Sequence, residues 1–317
     1  MNFSLLALER RWSRLAPNVR GAIWLVFAGF VLISMSSLVK SIGPRIPAAE
    51  MLFFRGAFGA VFLLPLLLWY GWRSVATRHP GMHLLRAAFG TASMFGVFYA
   101  VTHLPLADAT AILFSSPLFA TVFAAIILRE AVGWRRALAT LAGFSGVLVM
   151  MRPGGDAIDP AALVAIGAAL LTGALAIIIR RLSGKDSPYV IVFWFTIASG
   201  LISLPVALAV WVTPTVADLP LLVLIGLLGL VGQTAFTFAF SSGESSAIAP
   251  FDYMRLLFAG LFGYIFFAEL PDIWSLTGAA VIMTSTFYIM RREARLAKAR
   301  RAAAAARTVP AQATAGS

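Results

Sequence analysis

Ten runs of about 18 to 25 mostly apolar residues follow one another along the chain, each long enough to cross a hydrocarbon layer as a helix. They fall near residues 22–39, 48–70, 82–101, 108–128, 134–151, 160–180, 187–211, 218–240, 246–268 and 274–291, with short connections between them. The runs are continuously apolar and lack the period-two alternation of a membrane barrel, so the predicted fold class is an all-α polytopic membrane protein. Composition agrees: 60% of the 317 residues are hydrophobic and 12% charged, against roughly 45–50% and about 25% in a soluble domain. With no cysteine, disulfides, zinc-thiolate sites and thiol catalysis are excluded.

The formal charge of +12 lies between the apolar runs and in the tail, the pattern of topogenic loops rather than of a nucleic-acid surface. Of the 25 Lys and Arg, twenty fall on one side if the ten runs alternate in direction: Arg10, Arg11, Arg14 and Arg20, then 73–86, 129–136, 180–185, and 291 onward. Lys40, Arg45 and Arg152 fall on the other. This bias predicts that both termini are cytoplasmic. The basic start resembles that of a signal peptide, but the run after it is too long and nine more follow, so the first helix is expected to remain. The tail after Arg292 is basic and alanine-rich, then small and polar; its first part is expected to extend the last helix and its end to be disordered.

The two halves repeat. A displacement of about 139 or 140 residues lays 63–69 (LLPLLLW) on 203–209 (SLPVALA) and 127–132 (ILREAV) on 267–272 (FAELPD), so that Glu130 falls on Glu269. Five helices per half force the halves to insert with opposite orientation, the inverted repeat common among secondary transporters. The expected units are residues 1–20, a first five-helix repeat at 21–152, a second at 160–292, and a tail at 293–317.

The ninth run contradicts its surroundings, because Asp252, Tyr253 and Arg255 lie within an apolar span. A charge near a bilayer centre costs at least about 2.5 kcal/mol and usually marks a pathway or a partner. Arg255 stands about nine residues into that run, roughly 13 Å deep at 1.5 Å per residue, and shares a helix face with Asp252. Two readings stay open: the pair neutralises itself and pins the helix, or it lines a substrate cavity, with Arg255 meeting a carboxylate or phosphate and Asp252 an amine or a coupling proton. Tyr253, about 100° away, is expected to serve packing or a cavity edge. The displacement puts Leu113 and Ser116 where Asp252 and Arg255 stand, so repeat architecture does not require the charges. Arg55, roughly 10 Å into the second run, either snorkels outward or joins the cavity; its counterpart is Phe195.

As a set, LPLADATAILFSSPLF, LREAVGWRR, a glycine helix ending in RPG, and SSAIAPFDYMRLLFAGLFGYIFFAELPD resemble the ten-helix EamA branch of the drug/metabolite transporter superfamily, over roughly residues 20–292. Within it, the Pro-Phe-Asp-Tyr-x-Arg pattern at Pro250–Arg255 looks closest to S-adenosylmethionine-type or riboflavin-type transporters. The resemblance implies a bacterial inner-membrane secondary carrier with a central cavity between its halves.

Other candidates are weaker. Tyr99 and Phe238 occupy equivalent positions in the repeat and, with Gln233, could sandwich a planar group, or else serve as bundle core. Glu130 could pair with Arg135 or Arg136 as a gate, and otherwise Glu130 and Glu269 brace loop turns. His79 and His83 have four-residue spacing, but Pro80 and Gly81 between them argue against a helix and hence against a preformed metal pair. The expected partners are a small-molecule substrate and the lipid bilayer, with a homodimer left open; no nucleic acid, metal or cofactor is expected. A secondary transporter of an anionic or zwitterionic metabolite, with or without a planar ring, is the reading favoured over a membrane scaffold or sensor and over an intramembrane enzyme.

Overall fold

The computed structural model describes residues 15–127, 134–151, 159–182, 185–242 and 248–308. The helices are α1 (Pro17–Ile42), α2 (Ala48–Tyr70), α3 (Pro80–His103), α4 (Leu106–Leu113), α5 (Ser116–Ile127), α6 (Trp134–Met151) and α7 (Pro160–Leu182). They continue as α8 (Pro188–Ala209), α9 (Leu219–Ser242), α10 (Met254–Phe267) and α11 (Ile273–Thr308). Short 3-10 turns occupy Trp72–Val75 and Ala249–Tyr253. No strand occurs among the described residues. Counting Leu106–Ile127 as one kinked span, six helices there are long and apolar enough to cross a membrane, and shorter apolar helices cover 137–151, 160–175 and 273–289. The last helix runs on to Thr308, well past the apolar run that seeds it.

Two expected spans are broken rather than continuous, each beside a proline. The run at 108–128 divides at Phe114–Ser115. Pro117 lacks an N–H and its ring clashes with the carbonyl four residues back, at Leu113, which is where α4 ends. The run at 246–268 begins as the 3-10 turn Ala249–Tyr253, with Pro250 in its first turn, and becomes α-helical only at Met254. Pro65 and Pro205, by contrast, lie inside intact α2 and α8 at matching positions of the repeat.

Packing follows the repeat. The most extensive helix pairs are α1 with α9, α6 with α11, α3 with α7, and α2 with α8. Exchanging the halves turns α1·α9 into α7·α3 and maps α2·α8 and α6·α11 onto themselves, as an inverted repeat about one central axis demands. At two of these crossings glycines meet. A Cβ on Gly146 would lie 2.8 Å from the Gly278 carbonyl, one on Gly278 2.6 Å from that of Gly146, and one on Gly56 2.5 Å from the Gly200 Cα. Without a hydrophobic drive inside lipid, such close backbone approach is what holds helices together. Gly278→Leu should therefore separate α6 from α11 and lower the thermal midpoint of the purified protein by at least about 5 °C, given that overpacking costs about 1–3 kcal/mol or more. A midpoint equal to wild type would show that this contact contributes nothing.

The core joins α1, α2, α3, α4 and α9 through Ile33, Met35, Met51, Leu52, Phe98, Leu106 and Ile225. Large apolar side chains cover the outside, among them Leu68, Leu201, Leu257 and Phe266. Trp69, Tyr70 and Trp72 stand exposed where α2 ends, the position of an interfacial aromatic belt.

Candidate functional site

Arg255 and Asp252 are brought together by the switch from 3-10 turn to α-helix. Asp252 is in the turn, Arg255 in the first turn of α10, and the guanidinium Nη1 approaches the two carboxylate oxygens at 3.4 and 3.5 Å. Arg255 is thus not nine residues into a continuous helix, and its depth cannot be counted at 1.5 Å per residue, because Pro250 starts a tighter turn. Both side chains are about three-quarters buried. The Arg255 guanidinium lies 5.7 Å from the Phe114 ring, and its Nε has no hydrogen-bond partner. Its aliphatic stem packs on Gly29 of α1, where a Cβ would come within 2.6 Å. Tyr253 turns the other way: its hydroxyl donates to the Met283 carbonyl of α11 at 3.2 Å. Its ring lies 5.2 Å from Phe114, which is its own counterpart in the repeat.

Arg55 does not snorkel. It is 4% exposed, with its guanidinium 5.7 Å from the ring of Phe195 and Gly229 of α9 beside its Nε. Arg86 was counted above with the loop charges, yet it lies inside α3, 3% exposed and 4.4 Å from the same ring. A basic residue one turn or two inside a span reads from sequence as topogenic; only its contact with a distant helix reveals burial.

Tyr99 and Phe238 are not brought together. Tyr99 stacks on His103 near the C-terminal end of α3, with ring centroids 4.1 Å apart. Phe238 packs on Trp24 and Tyr189 near the C-terminal end of α9. An inverted repeat carries equivalent residues away from the midplane to opposite ends of the bundle, so the expected sandwich does not form. Gln233 is half-buried on α9. Glu130 lies outside the described residues and nothing is described of the Arg136 side chain, while Arg135 is exposed with its guanidinium 5.2 Å from the Trp134 ring.

Ion pairs at the two bundle ends join residues that lie far apart in the sequence. Where α1 ends, Lys40 Nζ meets Glu269 Oε1 at 2.8 Å and donates to the Val101 carbonyl at 3.2 Å and the Leu104 carbonyl at 2.5 Å. Glu269 Oε2 accepts the Leu106 N–H at the start of α4, at 2.8 Å. Ala268, left-handed at φ 53°, turns the chain so that Glu269 reaches back over α10. At the same end Arg45 pairs with Asp218 at 2.6 Å, and Glu50 accepts the Val212 N–H at 3.0 Å. The Thr215 hydroxyl, its amide and Arg45 together outweigh burial and hold the Asp218 carboxyl below its ordinary value.

At the opposite end Asp186 accepts from Thr77 at 2.7 Å and faces His83 at 2.9 Å and His79 at 3.9 Å. Trp194 donates to the Val75 carbonyl beside them. α3 starts at Pro80, so the two histidines do share a helix start; proline is well suited to the first helical position, where its missing N–H is not needed. Burial works against the Asp186 charge, but Thr77, His83 and His79 prevail and hold its carboxyl below the usual range. A carboxyl so depressed stabilises the fold above the unfolded value, about 3.9, and loses that contribution as pH falls through its own lower value. Asp186→Asn should therefore lower the thermal midpoint by a few degrees at pH 7, and the gap to wild type should narrow below about pH 4. A gap independent of pH would assign the effect to packing.

The EamA-like transporter family matches residues 19–152 and again residues 159–291. The chain belongs to that family. Each half is one copy of the family domain, and the protein is a polytopic membrane transporter of a small metabolite rather than an enzyme. It is 32% identical over 280 residues to the S-adenosylmethionine uptake transporter of Rickettsia prowazekii, covering 88% of this chain and 95% of the relative. It is 33% identical over 298 residues to the riboflavin transporter of Rhizobium johnstonii, covering 93% and 97%. With the pseudopaline exporter CntI of Pseudomonas aeruginosa it shares 32% over 279 residues, covering 86% and 96%. A solved crystal structure 19% identical in sequence aligns over 88% of this chain and 97% of its own with a TM-score of 0.57, a likeness of fold. This EamA protein therefore resembles relatives named for uptake and for export alike.

Proposed function

We propose that this EamA protein is a secondary carrier that moves an anionic or zwitterionic metabolite across the bacterial inner membrane by alternating access between its two halves. The observation that carries the reading is the Asp252–Arg255 pair, two opposite charges inside the bundle, flanked by Gly29 and Phe114. Opposite charges about one turn apart suit a solute bearing both signs, and neither is required by the repeat. Arg55 lies inside the bundle as a further cation. Asp252 is the candidate coupling group, and Tyr99 and Phe238, which lie apart, do not sandwich a planar substrate between them, while Gln233 of α9 stays a candidate contact.

The organisation we propose is ten spans in two units, 21–152 and 160–292, preceded by a cytoplasmic segment at 1–20 and followed by a basic cytoplasmic tail at 293–317. The distribution of Lys and Arg supports this direction, and it makes the end closed by Lys40 and Glu269 the external one. A C-terminal reporter fusion should be active only in the cytoplasm; an exported reporter overturns the orientation.

The relatives supply the first solutes to try, S-adenosylmethionine as a zwitterion with a purine and riboflavin as a planar ring. A ligand that binds the folded state raises its apparent stability by about 2.7 kcal/mol at a hundredfold excess over Kd. One of these, or a related amino acid or nucleoside derivative, should raise the thermal midpoint of the purified protein, and Arg255→Ala should remove the shift. A shift retained in full by Arg255→Ala would move the site elsewhere.

A further inference from the structure

The Asp252–Arg255 pair balances its own charge, whereas Arg55 and Arg86 do not. Both are at least 96% buried, both direct their guanidinium groups at Phe195, and each lies within the other's repulsive field. Arg55 Nε, Arg86 Nε and Arg86 Nη1 have no hydrogen-bond partner. Among the described residues no carboxylate lies within ion-pair distance of either. The nearest acid on α2, Glu50, accepts the Val212 N–H through Oε2, keeps a buried Oε1 without a partner and forms no ion pair with Arg55. The acid nearest the start of α3, Asp186, is engaged with Thr77 and His83.

The site is shaped to hold these groups. A Cβ on Gly229 would come within 2.6 Å of Arg55 Nε, and one on Gly90 within 2.7 Å of the Phe195 ring, so α9 and α3 are pared back where the arginine and the ring sit. An arginine remains protonated at neutral pH and cannot escape burial by neutralising itself. Two of them against one aromatic ring leave a double positive charge inside a membrane bundle, which among the described residues only a ring quadrupole offsets. The group that completes such a site is an oxyanion, whose two oxygens match the planar fork of a guanidinium.

We propose that Arg55 and Arg86, gathered on Phe195 by α2, α3 and α8, form an oxyanion-binding site that receives the carboxylate or phosphate of the transported solute. This rests on the carrier reading above and moves the anion from Arg255 to the uncompensated pair. Asp252 and Arg255 then meet the remainder of the solute.

The test begins with the thermal midpoint of purified wild type in inorganic phosphate or benzoate, each against chloride at equal ionic strength. At least one of the two should raise the midpoint saturably at millimolar concentration. Arg55→Gln and Arg86→Gln should lose that response, while being no less stable than wild type in chloride, because each removes an uncompensated charge. Arg86→Lys, which keeps the charge but not the fork, should respond with at least about tenfold weaker apparent affinity. Equal responses in all four proteins, or none in wild type, overturn the site. Solute uptake separates the two readings. If wild type binds the anion but moves no solute, the carrier reading fails and the site stands. If Arg86→Gln transports with an unchanged KM, and phosphate does not compete in wild type, the site fails and the carrier stands.

Discussion

Arg255→Ala protein, inserted normally, takes up solute at least about tenfold more slowly than wild type, and Asp252→Asn does the same. A hydrogen bond to a charged group is worth about 1.5–3 kcal/mol, which converts to about ten- to a hundredfold in binding. The single variants alone do not separate a substrate role from a structural one, because removing one member strands the other. The double variant does. A buried pair used only for packing can usually be replaced on both sides by apolar groups without loss. Asp252→Leu combined with Arg255→Met should then restore transport if the pair only pins α10 against α1, and should leave it abolished if the pair meets solute. We expect it abolished, with a thermal midpoint near wild type. Gly29 offers a second approach from the α1 side: Gly29→Val would push against the Arg255 stem and should reduce transport while leaving both charges in place.

Breaking the Lys40–Glu269 contact should have an equally large effect on conformation. One glutamate ties α10 to α1 through Lys40 and to α4 through the Leu106 N–H, while Lys40 also holds the end of α3 through two carbonyls. Four helices are thus joined at one end of the bundle by two side chains that are 12% and 19% exposed. Stranding one charge of a buried pair costs about 3–5 kcal/mol, less here because water reaches part of it. Even about 1.4 kcal/mol shifts an open-to-closed ratio tenfold. The chain has no cysteine, so a single one introduced at buried Ala109 of α4 reports opening without background. Glu269→Gln should raise the rate at which a membrane-impermeant maleimide, added outside, labels that cysteine by at least about tenfold. Lys40→Glu with Glu269→Lys should not return the rate to wild type, because a carboxylate cannot donate to the Val101 and Leu104 carbonyls and an ammonium cannot accept the Leu106 N–H. A labelling rate unaffected by Glu269→Gln means that the pair braces a loop and does not gate.

The fold was legible because its strongest signal is local. Each apolar run states its own length, and Pro117 and Pro250 stand where the fourth and ninth runs break. The repeat was legible from Glu130 and Glu269, Pro65 and Pro205, whereas the meeting of Phe114 with Tyr253 and of Arg55 with Phe195 emerges only from the packing. What the sequence could not disclose are contacts made between helices. Arg86 reads as a loop charge until α3 and α8 are packed. Lys40 and Glu269 read as separate terminal charges until four helix ends converge. Tyr99 and Phe238 look like partners because a linear alignment ignores inversion, which sends them to opposite ends. The hydrogen bond of His83 to Asp186, with His79 3.9 Å from the same oxygen, depends on a helix that begins at a proline, a position where proline is favourable rather than disruptive.

A carrier of the proposed kind moves a solute through its own bundle, closed at one end while open at the other, with no other protein required. Solute counterflow tests it most directly. Proteoliposomes containing only this protein, preloaded with unlabelled S-adenosylmethionine, riboflavin or the ligand found by thermal shift, are diluted into a trace of the labelled compound without ATP. A carrier gives a transient accumulation of label above equilibrium, absent in protein-free liposomes and in Arg255→Ala. Entry that rises only to equilibrium, independent of preloading, would indicate an open channel, and no entry of a solute that binds would indicate a receptor; either result contradicts alternating access.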